Sequence, residues 1–198
     1  MPRPVTVAIT GGIAAGKSTA LDEFGRHGAA TISSDELVHR LYERDDEVRA
    51  AVQARWGEEV VAADGSVDRA AIARRVFADP EELRWLEALL HPRVQRQYAE
   101  WRTELEQSAS PPPAIVTEIP LLYETGGESR FDKVVVITAP AAVREERRGP
   151  TADRESRLLP DEEKVRRADY AYENTGSLEE LERFVAHVME QLARSAVG

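Results

Sequence analysis

The sequence predicts an α/β fold, in which a mostly parallel sheet is flanked by helices. Short apolar runs at residues 5–9, 114–117 and 133–138 are bounded by turn-forming residues, which is typical of strands buried on both faces. Amphipathic helical patterns alternate with these runs, as in the crossover connections of a parallel sheet. The length of 198 residues suits one domain with a substantial core.

In the first half of the chain, the elements follow from periodicity and from turn residues. The apolar run at residues 5–9 stops at a T-G-G turn and predicts the first strand. Leu21 and Phe24 share one helical face, and Gly28 ends that helix. The elements predicted after the first strand are a helix at 18–27, a strand at 29–32 and helices at 35–43, 68–77 and 80–106, the last with an interruption favoured at His91-Pro92.

The second half repeats the alternation after a proline-rich loop. Three consecutive prolines in SASPPP at 108–113 cannot continue a helix; they favour a surface connection, with a domain boundary as the alternative. Ser177 precedes the last helix, and Glu180 three residues later completes a capping box. The elements predicted here are strands at 114–117 and 133–138, a helix at 141–148, a weaker strand at 168–172 and a helix at 178–193.

Composition limits the classes of function. The net charge is −10 at pH 7, whereas a surface that binds nucleic acid usually carries the opposite sign. The chain has no cysteine, which excludes disulfides, thiolate metal sites and cysteine nucleophiles. No apolar run reaches the ~18 residues of a membrane span, and the N-terminus lacks the apolar stretch of a signal peptide. We therefore expect a cytoplasmic protein without a nucleic-acid or membrane partner, either a monomer or a weak homo-oligomer.

A glycine-rich stretch joins the first strand to the first helix. Residues 11–18, GGIAAGKS, fit the pattern G-x-x-x-x-G-K-[ST], here called the P-loop. Small residues let the backbone come close enough for its N–H groups to wrap a polyphosphate. The lysine can reach the β- and γ-phosphates, and the serine hydroxyl can bind Mg²⁺. The predicted site for ATP comprises Gly11, Gly12, Ile13, Ala14, Ala15, Gly16, Lys17, Ser18 and Thr19, and its metal ligand is Ser18.

The P-loop occurs in kinases, GTPases, motor ATPases and regulators, so other features must select among them. An ordinary glycine-rich turn is disfavoured by the presence of Lys17 and Ser18. The chain contains no N-K-x-D motif of the kind by which GTPases read the base. The run AIVTE at 114–118 approaches the acidic strand end of motor ATPases only imperfectly. A small kinase is the better match.

Asp35 is the candidate base for the acceptor of the phosphoryl group. It follows Ser33-Ser34 after the second strand, and in such sheets ligands bind at the carboxyl ends of strands. A kinase needs in-line positioning, Mg²⁺ and a carboxylate that can accept the hydroxyl proton. The alternative role for Asp35 is the N-cap of the helix at 35–43, although Ser34 could serve as that cap instead.

Motifs along almost the whole chain resemble those of dephospho-coenzyme A kinases. The matching segments are TGGIAAGKST at 10–19, SSDELVHRL at 33–41, DGSVDRAAIARRVFADPEELRWLEALLHPRV at 64–94, EIPLLYETG at 118–126 and PDEEKVRRADYAYENTGSLEELE at 160–182. The P-loop is common to many folds, whereas the combination of the other motifs is far more specific. The resemblance implies a P-loop NTPase-type sheet with a helical acceptor-binding insertion. It also implies ATP-dependent phosphorylation of the ribose 3′-hydroxyl of dephospho-CoA, the last step of CoA biosynthesis.

The resemblance further implies roles for residues that match the family's motifs. On the acceptor side these are the catalytic base Asp35 and the residues Arg69, His91, Pro120, Leu121 and Leu122; near the adenine they are Asn174 and Gly176. Alternatives stay open for several of them. Core packing would equally explain Leu121 and Leu122, and a buried hydrogen bond would explain His91. A neighbouring carboxylate could be the partner of Arg69, and Asn174 with Gly176 could simply form a turn.

Two features depart from the family's pattern. Ala14 and Ala15 stand where the family usually has Gly-Ser or a similar pair, and alanine fits at position 14 only if its φ is negative. The segment RRGPTADR at 147–154 is shorter than the family's lid, which places arginines over the phosphates and excludes water. By resemblance, Arg147 and Arg154 join Lys17 and Asp35 as catalytic residues, with solvated surface charge as the alternative.

The sequence thus predicts a single P-loop kinase domain over residues 1–198. Its core would comprise residues 1–59 and 108–198, with a helical acceptor-binding region at about 60–107 and a short lid at about 147–159. Two rival functions remain open. One is a kinase for another acceptor, such as a nucleoside monophosphate. The other is a regulator that binds nucleotide without turnover.

Overall fold

The computed structural model describes residues 3–62, 64–147 and 158–195. Its strands are β1 Val5–Gly11, β2 Ala30–Ser33, β3 Ala114–Glu118, β4 Lys133–Thr138 and β5 Tyr170–Glu173. They form one sheet in the order β2-β3-β1-β4-β5, and every neighbouring pair is parallel. β1 therefore lies in the middle of the sheet, between β3 and β4.

Within the described ranges, eight α-helices connect the strands or extend from them. They are α1 Lys17–Arg26, α2 Ser34–Arg44, α3 Asp46–Trp56, α4 Arg69–Ala78, α5 Pro80–Glu106, α6 Ala141–Arg147, α7 Asp161–Arg167 and α8 Leu178–Ser195. Two short 3₁₀ helices lie at Gly57–Val60 and Glu128–Arg130. The predicted α/β class with a parallel sheet is confirmed. None of the helices in these ranges is both long enough and apolar enough to pass through a bilayer.

The chain divides into two compact units. The first comprises the described residues of Met1–Ser34 and Glu104–Gly198 and contains the whole sheet; the second, Asp35–Thr103, is helical. A helical region at about 60–107 was expected from the sequence. The observed helical unit begins earlier, because Val48 and Val52 of α3 are buried in its core together with Ile72 of α4.

The core of the first unit covers both faces of β1. Val7 and Ile9 point to one face and belong to a cluster that includes Phe24 of α1 and Leu181 of α8. Ala8 points to the other face and belongs to a cluster completed by residues of β4 and of the segment after β3. Because side chains alternate along a strand, an uninterrupted apolar run is required when both faces are covered.

The core of the second unit is a separate apolar cluster. Its buried members are Leu41, Tyr42, Val48, Val52, Trp56, Val60, Ala71, Ile72, Val76, Leu86 and Leu90. Trp56 meets Trp85 edge to face with the ring centroids 5.0 Å apart, and its indole N–H donates to Glu82 across 2.8 Å. The buried indole nitrogen is therefore satisfied, which the burial of a tryptophan requires.

Helix α5 runs without interruption through Pro92, so the expected break at His91-Pro92 was wrong. Proline removes one N–H from the helix, but it does not prevent the chain from continuing if packing holds both sides. Leu86 and Leu90, which precede Pro92, are buried in the cluster. Arg93, which follows it, donates from Nη1 to the carbonyl of Leu89 across 3.0 Å.

Candidate nucleotide-binding site

The P-loop connects β1 to α1 at the carboxyl edge of the sheet. Gly11 is the last residue of β1 and has a φ of 141°; a Cβ there would lie 1.9 Å from the Ile137 carbonyl oxygen on β4. Gly16 precedes α1 with a φ of 94°. Both positions therefore require glycine, and the loop brings the N-terminus of α1 to the strand end, where anions are favoured.

Ala14 adopts a left-handed conformation, with a φ of 58°, so the expectation of a negative φ at this position was wrong. An L-residue in this region suffers a clash between its Cβ and the following carbonyl, at a cost of ~1–2 kcal/mol. The structure therefore contains backbone strain inside the P-loop, at one of the positions where the sequence departs from the family's usual pair.

The Lys17 side chain folds back over the P-loop. Its Nζ donates to the Gly12 carbonyl across 2.8 Å, and the residue is only 9% exposed. The ammonium group is thereby held at the loop whose backbone N–H groups would face a polyphosphate. This position agrees with the phosphate-binding role that the sequence predicts for Lys17.

Ser18 contacts an acidic residue that the sequence analysis did not include in the site. Its Oγ donates to Oε2 of Glu118 across 3.0 Å. Glu118 ends β3 and is largely buried. A hydroxyl and a carboxylate are hard oxygen donors of the kind that Mg²⁺ prefers. The signal for Glu118 was the run AIVTE, whose final acid lies at the carboxyl end of a buried strand.

No group of three or more His, Cys, Asp or Glu side chains suited to a metal occurs in the part of the chain that the structure describes. This finding fits the way in which Mg²⁺ is usually bound by nucleotide enzymes. One or two protein oxygens are combined with phosphate oxygens and water, instead of a dedicated protein cage. Ser18 and Glu118 are the candidate protein ligands for such a site.

Two arginines of α6 lie beside the P-loop. Arg144 pairs with Asp161 of α7 at 3.3 Å, and a Cβ on Gly12 would lie 3.0 Å from the same Arg144 nitrogen. Arg147 is exposed, and a Cβ on Gly16 would lie 3.5 Å from its Nη1. The sequence predicted Arg147 but missed Arg144, although one helical turn separates them. Arg154, and most of the predicted lid at 147–159, lie outside the described residues.

Asn174 and Gly176 lie in the loop between β5 and α8. Asn174 is 4% exposed, and its side chain contacts the P-loop at Ala15. Its Oδ1 also accepts a hydrogen bond from the backbone N–H of Gly176 across 3.0 Å. Asn174 and Gly176 are therefore joined by the side-chain-to-backbone hydrogen bond that is typical of an Asx turn.

Asp35 is the second residue of α2 and is exposed. Among the described residues, no partner satisfies its carboxylate, so it does not cap the helix that contains it. Ser34 is the first residue of α2, and its Oγ donates to the Glu118 carbonyl across 2.9 Å. The carboxylate of Asp35 is thus left accessible, two positions along the chain from the last residue of β2.

Arg69 belongs to a small polar cluster within the helical unit. Its Nη1 lies 3.3 Å from Nδ1 of His39, and Nε2 of His39 lies 3.0 Å from Glu43. Because the guanidinium can only donate, Nδ1 must accept and Nε2 must carry the proton in this arrangement. Arg69 therefore has a histidine as its partner, where the sequence suggested a carboxylate or a phosphate. Nearby, burial raises the pKa of Tyr42 to about 12, against the opposing charge of Arg69.

The segment PLLYE at 120–124 combines exposed and buried positions. Leu121 is 38% exposed, whereas Leu122 is fully buried in the core, so its side chain packs against the sheet and cannot reach a ligand. Glu124 forms an ion pair of 2.9 Å with the fully buried Lys164 and accepts from the Leu159 N–H. Burial raises the pKa of Glu124, but these two interactions outweigh it and leave that pKa below its ordinary value.

His91 and Pro92 are both exposed on α5. The alternative that His91 is a buried hydrogen-bonding histidine is therefore wrong, because the residue is not buried.

The comparisons with known proteins agree with this geometry. The family model for dephospho-CoA kinase matches residues 5–180. A dephospho-CoA kinase of Thermus thermophilus is 38% identical, and the alignment covers 98% of this chain and 95% of that protein. The crystal structure of TT1252 from Thermus thermophilus has a TM-score of 0.77 at 38% identity and covers 96% and 98% of the two chains. The dephospho-CoA kinase of Campylobacter jejuni has a TM-score of 0.71 at 25% identity, with the same coverage. With a family model that matches most of its length and relatives of 38% identity, the chain belongs to the dephospho-CoA kinase family.

Proposed function

We propose that this protein transfers the γ-phosphoryl group of ATP to the ribose 3′-hydroxyl of dephospho-CoA, giving ADP and CoA. The observation that carries the proposal is the P-loop at the end of the central strand, with Lys17 bound over it, in a chain whose family match spans residues 5–180. The small P-loop residues leave the backbone open to a polyphosphate. The reaction would take place in the cytoplasm as the last step of CoA biosynthesis.

Charge stabilisation comes from cations grouped at the P-loop. Lys17 would exchange its bond to the Gly12 carbonyl for the β- and γ-phosphate oxygens of ATP. Arg147, which lies near Gly16, would neutralise charge on the oxygens of the transferring group. Phosphoryl transfer depends mainly on such positioning and electrostatics, because the protein contributes little covalent chemistry.

Ser18 and Glu118 would hold Mg²⁺ through the hydroxyl and, directly or through water, the carboxylate. When bound, the ion neutralises phosphate charge and fixes the orientation of the β- and γ-phosphates. The hydrogen bond of 3.0 Å between the two side chains keeps both oxygens in one place, so that little rearrangement is needed.

Asp35 would orient the 3′-hydroxyl and accept its proton during transfer. The observations in its favour are its exposure, its position just after β2 and a carboxylate without a partner among the described residues. A base needs an accessible carboxylate, which a capping residue would not provide. Arg69, His91, Pro120 and Leu121 would lie on the acceptor side, whereas Leu122 would support this segment from the core.

The proposal is tested by measuring ADP release with several acceptors. Purified protein with ATP and Mg²⁺ should release ADP when dephospho-CoA is added, and the product should be CoA by mass spectrometry. AMP and other nucleoside monophosphates, added separately, should give no more ADP than the reaction without acceptor. Preference for one of them would identify a kinase for another acceptor. Binding of ATP without ADP release from any acceptor would identify a nucleotide-binding regulator.

A further inference from the structure

The side chain of Asn174 links the loop after β5 to the P-loop. Its Nδ2 donates to the Ala15 carbonyl across 2.9 Å, and its Oδ1 accepts from the N–H of Gly176 across 3.0 Å. The backbone N–H of Asn174 donates to the Thr138 carbonyl of β4 across 2.7 Å. The residue is therefore anchored to the sheet, and its amide group is used to hold main-chain atoms.

The burial of Asn174 makes these hydrogen bonds important. The residue is 4% exposed, and a buried amide group that loses its hydrogen-bond partner is left without water to replace that partner. Both its nitrogen and its oxygen are engaged with protein backbone. This geometry favours a role toward the P-loop over the contact with adenine that the family resemblance implied.

Asn174 also lies against Gly16. A Cβ built on Gly16 would be only 2.3 Å from the Asn174 nitrogen, so the two residues pack as closely as a glycine allows. Gly16 is the residue before α1, with a φ of 94°. The close approach is thus possible only because this P-loop position has no side chain.

The bond to Ala15 controls an N–H group of the P-loop. The carbonyl of Ala15 and the N–H of Gly16 belong to one peptide unit, which is planar and trans, so the two groups point in opposite directions. When Asn174 holds the carbonyl oxygen on its own side, the N–H of Gly16 must point away from Asn174. A loop that binds phosphate through backbone N–H groups needs such fixed orientations before the ligand arrives.

We propose that Asn174 is a positioning residue, which presets the Ala15–Gly16 peptide so that its N–H donates to the β-phosphate, which ATP and ADP share and AMP lacks. The proposal depends on nucleotide binding at the P-loop and not on the identity of the acceptor. It predicts that loss of the side chain weakens the binding of ATP and ADP more than that of AMP. The contribution of the base to the binding affinity should not change.

The test compares two variants of Asn174 by calorimetric titration with ATP, ADP and AMP in the absence of any acceptor. Asn174→Asp keeps the shape and the bond to the Gly176 N–H, but it places an acceptor opposite the Ala15 carbonyl. Asn174→Ala removes both bonds without introducing charge. We expect the Kd of ATP and ADP to rise about tenfold in Asn174→Ala, the equivalent of one buried hydrogen bond, and further in Asn174→Asp. The Kd of AMP, which lacks the outer phosphates, should change less than about twofold.

Thr175→Ala is the matched control. Thr175 is the next residue of the same loop, is exposed, and bonds to Glu180 of α8 instead of the P-loop. Its replacement should leave the Kd of all three nucleotides unchanged, and thermal unfolding should show that every variant used is folded.

Three results would overturn the proposal: an unchanged Kd for ATP in both folded variants, an equal loss for AMP and ATP, or, in a parallel titration with GTP, a changed preference for ATP over GTP. The last two would show that Asn174 contacts the base or only maintains the fold. Because the titration contains no acceptor, a failure of the protein to phosphorylate dephospho-CoA would count against the proposed function and leave this result unaffected.

Discussion

The hydroxyl of Ser18 donates to the carboxylate of Glu118 across 3.0 Å, although 100 positions separate the two residues in the chain. The contact follows from the sheet, because β1 and β3 are parallel neighbours and Ile9 is paired with Glu118. The end of β3 therefore lies next to the start of α1. A P-loop hydroxyl and a strand-end carboxylate together form a small, preformed oxygen site.

Replacement of Glu118 by glutamine should weaken the binding of Mg²⁺ and leave the fold intact. Glutamine can still accept from Ser18, but it removes the negative charge that attracts a divalent cation. We expect the Mg²⁺ concentration for half-maximal turnover to rise about 10–100-fold, which is typical when a metal site loses such a partner. A Mg²⁺ titration of ADP release measures this. Glu190→Gln, an exposed acid on α8, is the control, and an unchanged titration in Glu118→Gln would remove Glu118 from the metal site.

Asp35→Asn should abolish most turnover while ATP still binds. The amide keeps the size of the side chain but cannot accept the hydroxyl proton, so we expect the kcat to fall about 100-fold or more. The Kd of ATP should stay within about twofold, since this carboxylate is assigned to the acceptor. Glu36→Gln, at the neighbouring exposed acid, should retain activity. Normal turnover in Asp35→Asn would show that another group acts as the base.

Ala14→Gly should stabilise the protein. Glycine removes the left-handed strain of ~1–2 kcal/mol, but it also increases the entropy of the unfolded chain by ~0.4–1 kcal/mol, so the net gain should be about 0.5–1 kcal/mol. For a chain of this size, the Tm should rise by about 1–4 °C. The control is Ala15→Gly, at a fully buried position without a positive φ. This substitution should lower the Tm. A lower Tm for Ala14→Gly would mean that Ala14 is not strained.

The stability of the protein should depend on the ionisation of Asp132. The carboxylate accepts from the Arg3 guanidinium at 2.6 and 2.7 Å and from the N–H of Thr6 at 2.9 Å. The bond from Arg3 is the largest cause that holds the pKa of Asp132 well below its ordinary value of 3.8. A depressed pKa in the folded state adds stability above pH 3.8, and this stability is lost as the pH falls toward the folded pKa.

Asp132→Asn should therefore lower the free energy of unfolding by about 1 kcal/mol at pH 6, allowing for the partial exposure of the pair. The difference from the unmodified protein should shrink below pH 4, because the unfolded chain then takes up a proton at Asp132 that the folded state does not bind. Urea denaturation at pH 6, 4 and 3 measures it, with Asp22→Asn at an exposed position of α1 as the control. A difference that stays constant over this range would contradict the assignment.

The sequence predicted those parts of the fold that depend on local pattern. The strands at 5–9, 114–117 and 133–138 were found because they lie in the middle of the sheet, where burial on both faces demands continuous apolar runs. The edge strand β5 begins two residues later and ends one residue later than predicted, since its exposed side chains alternate with partly buried ones and give a weaker signal. The helix Asp46–Trp56 was missed, because its buried residues are few and widely spaced.

The candidate site likewise contains residues that local sequence identifies and residues that only the folded structure brings together. Its P-loop is a contiguous motif, so Lys17 and Ser18 could be assigned from spacing alone. Glu118, Arg144 and the bond from Asn174 to Ala15 depend on which strands and helices become neighbours, and no local pattern contains that information. The left-handed conformation of Ala14 could not be predicted from the sequence either, because alanine normally avoids this conformation and the surrounding loop imposes it.

The scarcity of lysine has a practical consequence for attaching the protein to a surface. Of the three lysines, Lys164 is fully buried in its ion pair and Lys17 is nine-tenths buried at the P-loop, whereas Lys133 is partly accessible beside Asp169. Lys133 begins β4, so it lies at the amino edge of the parallel sheet, opposite the edge that carries the P-loop. Amine coupling through Lys133 at alkaline pH would therefore immobilise the enzyme with its nucleotide-binding edge facing the solution, since the pair with Asp169 raises the pKa of this amine.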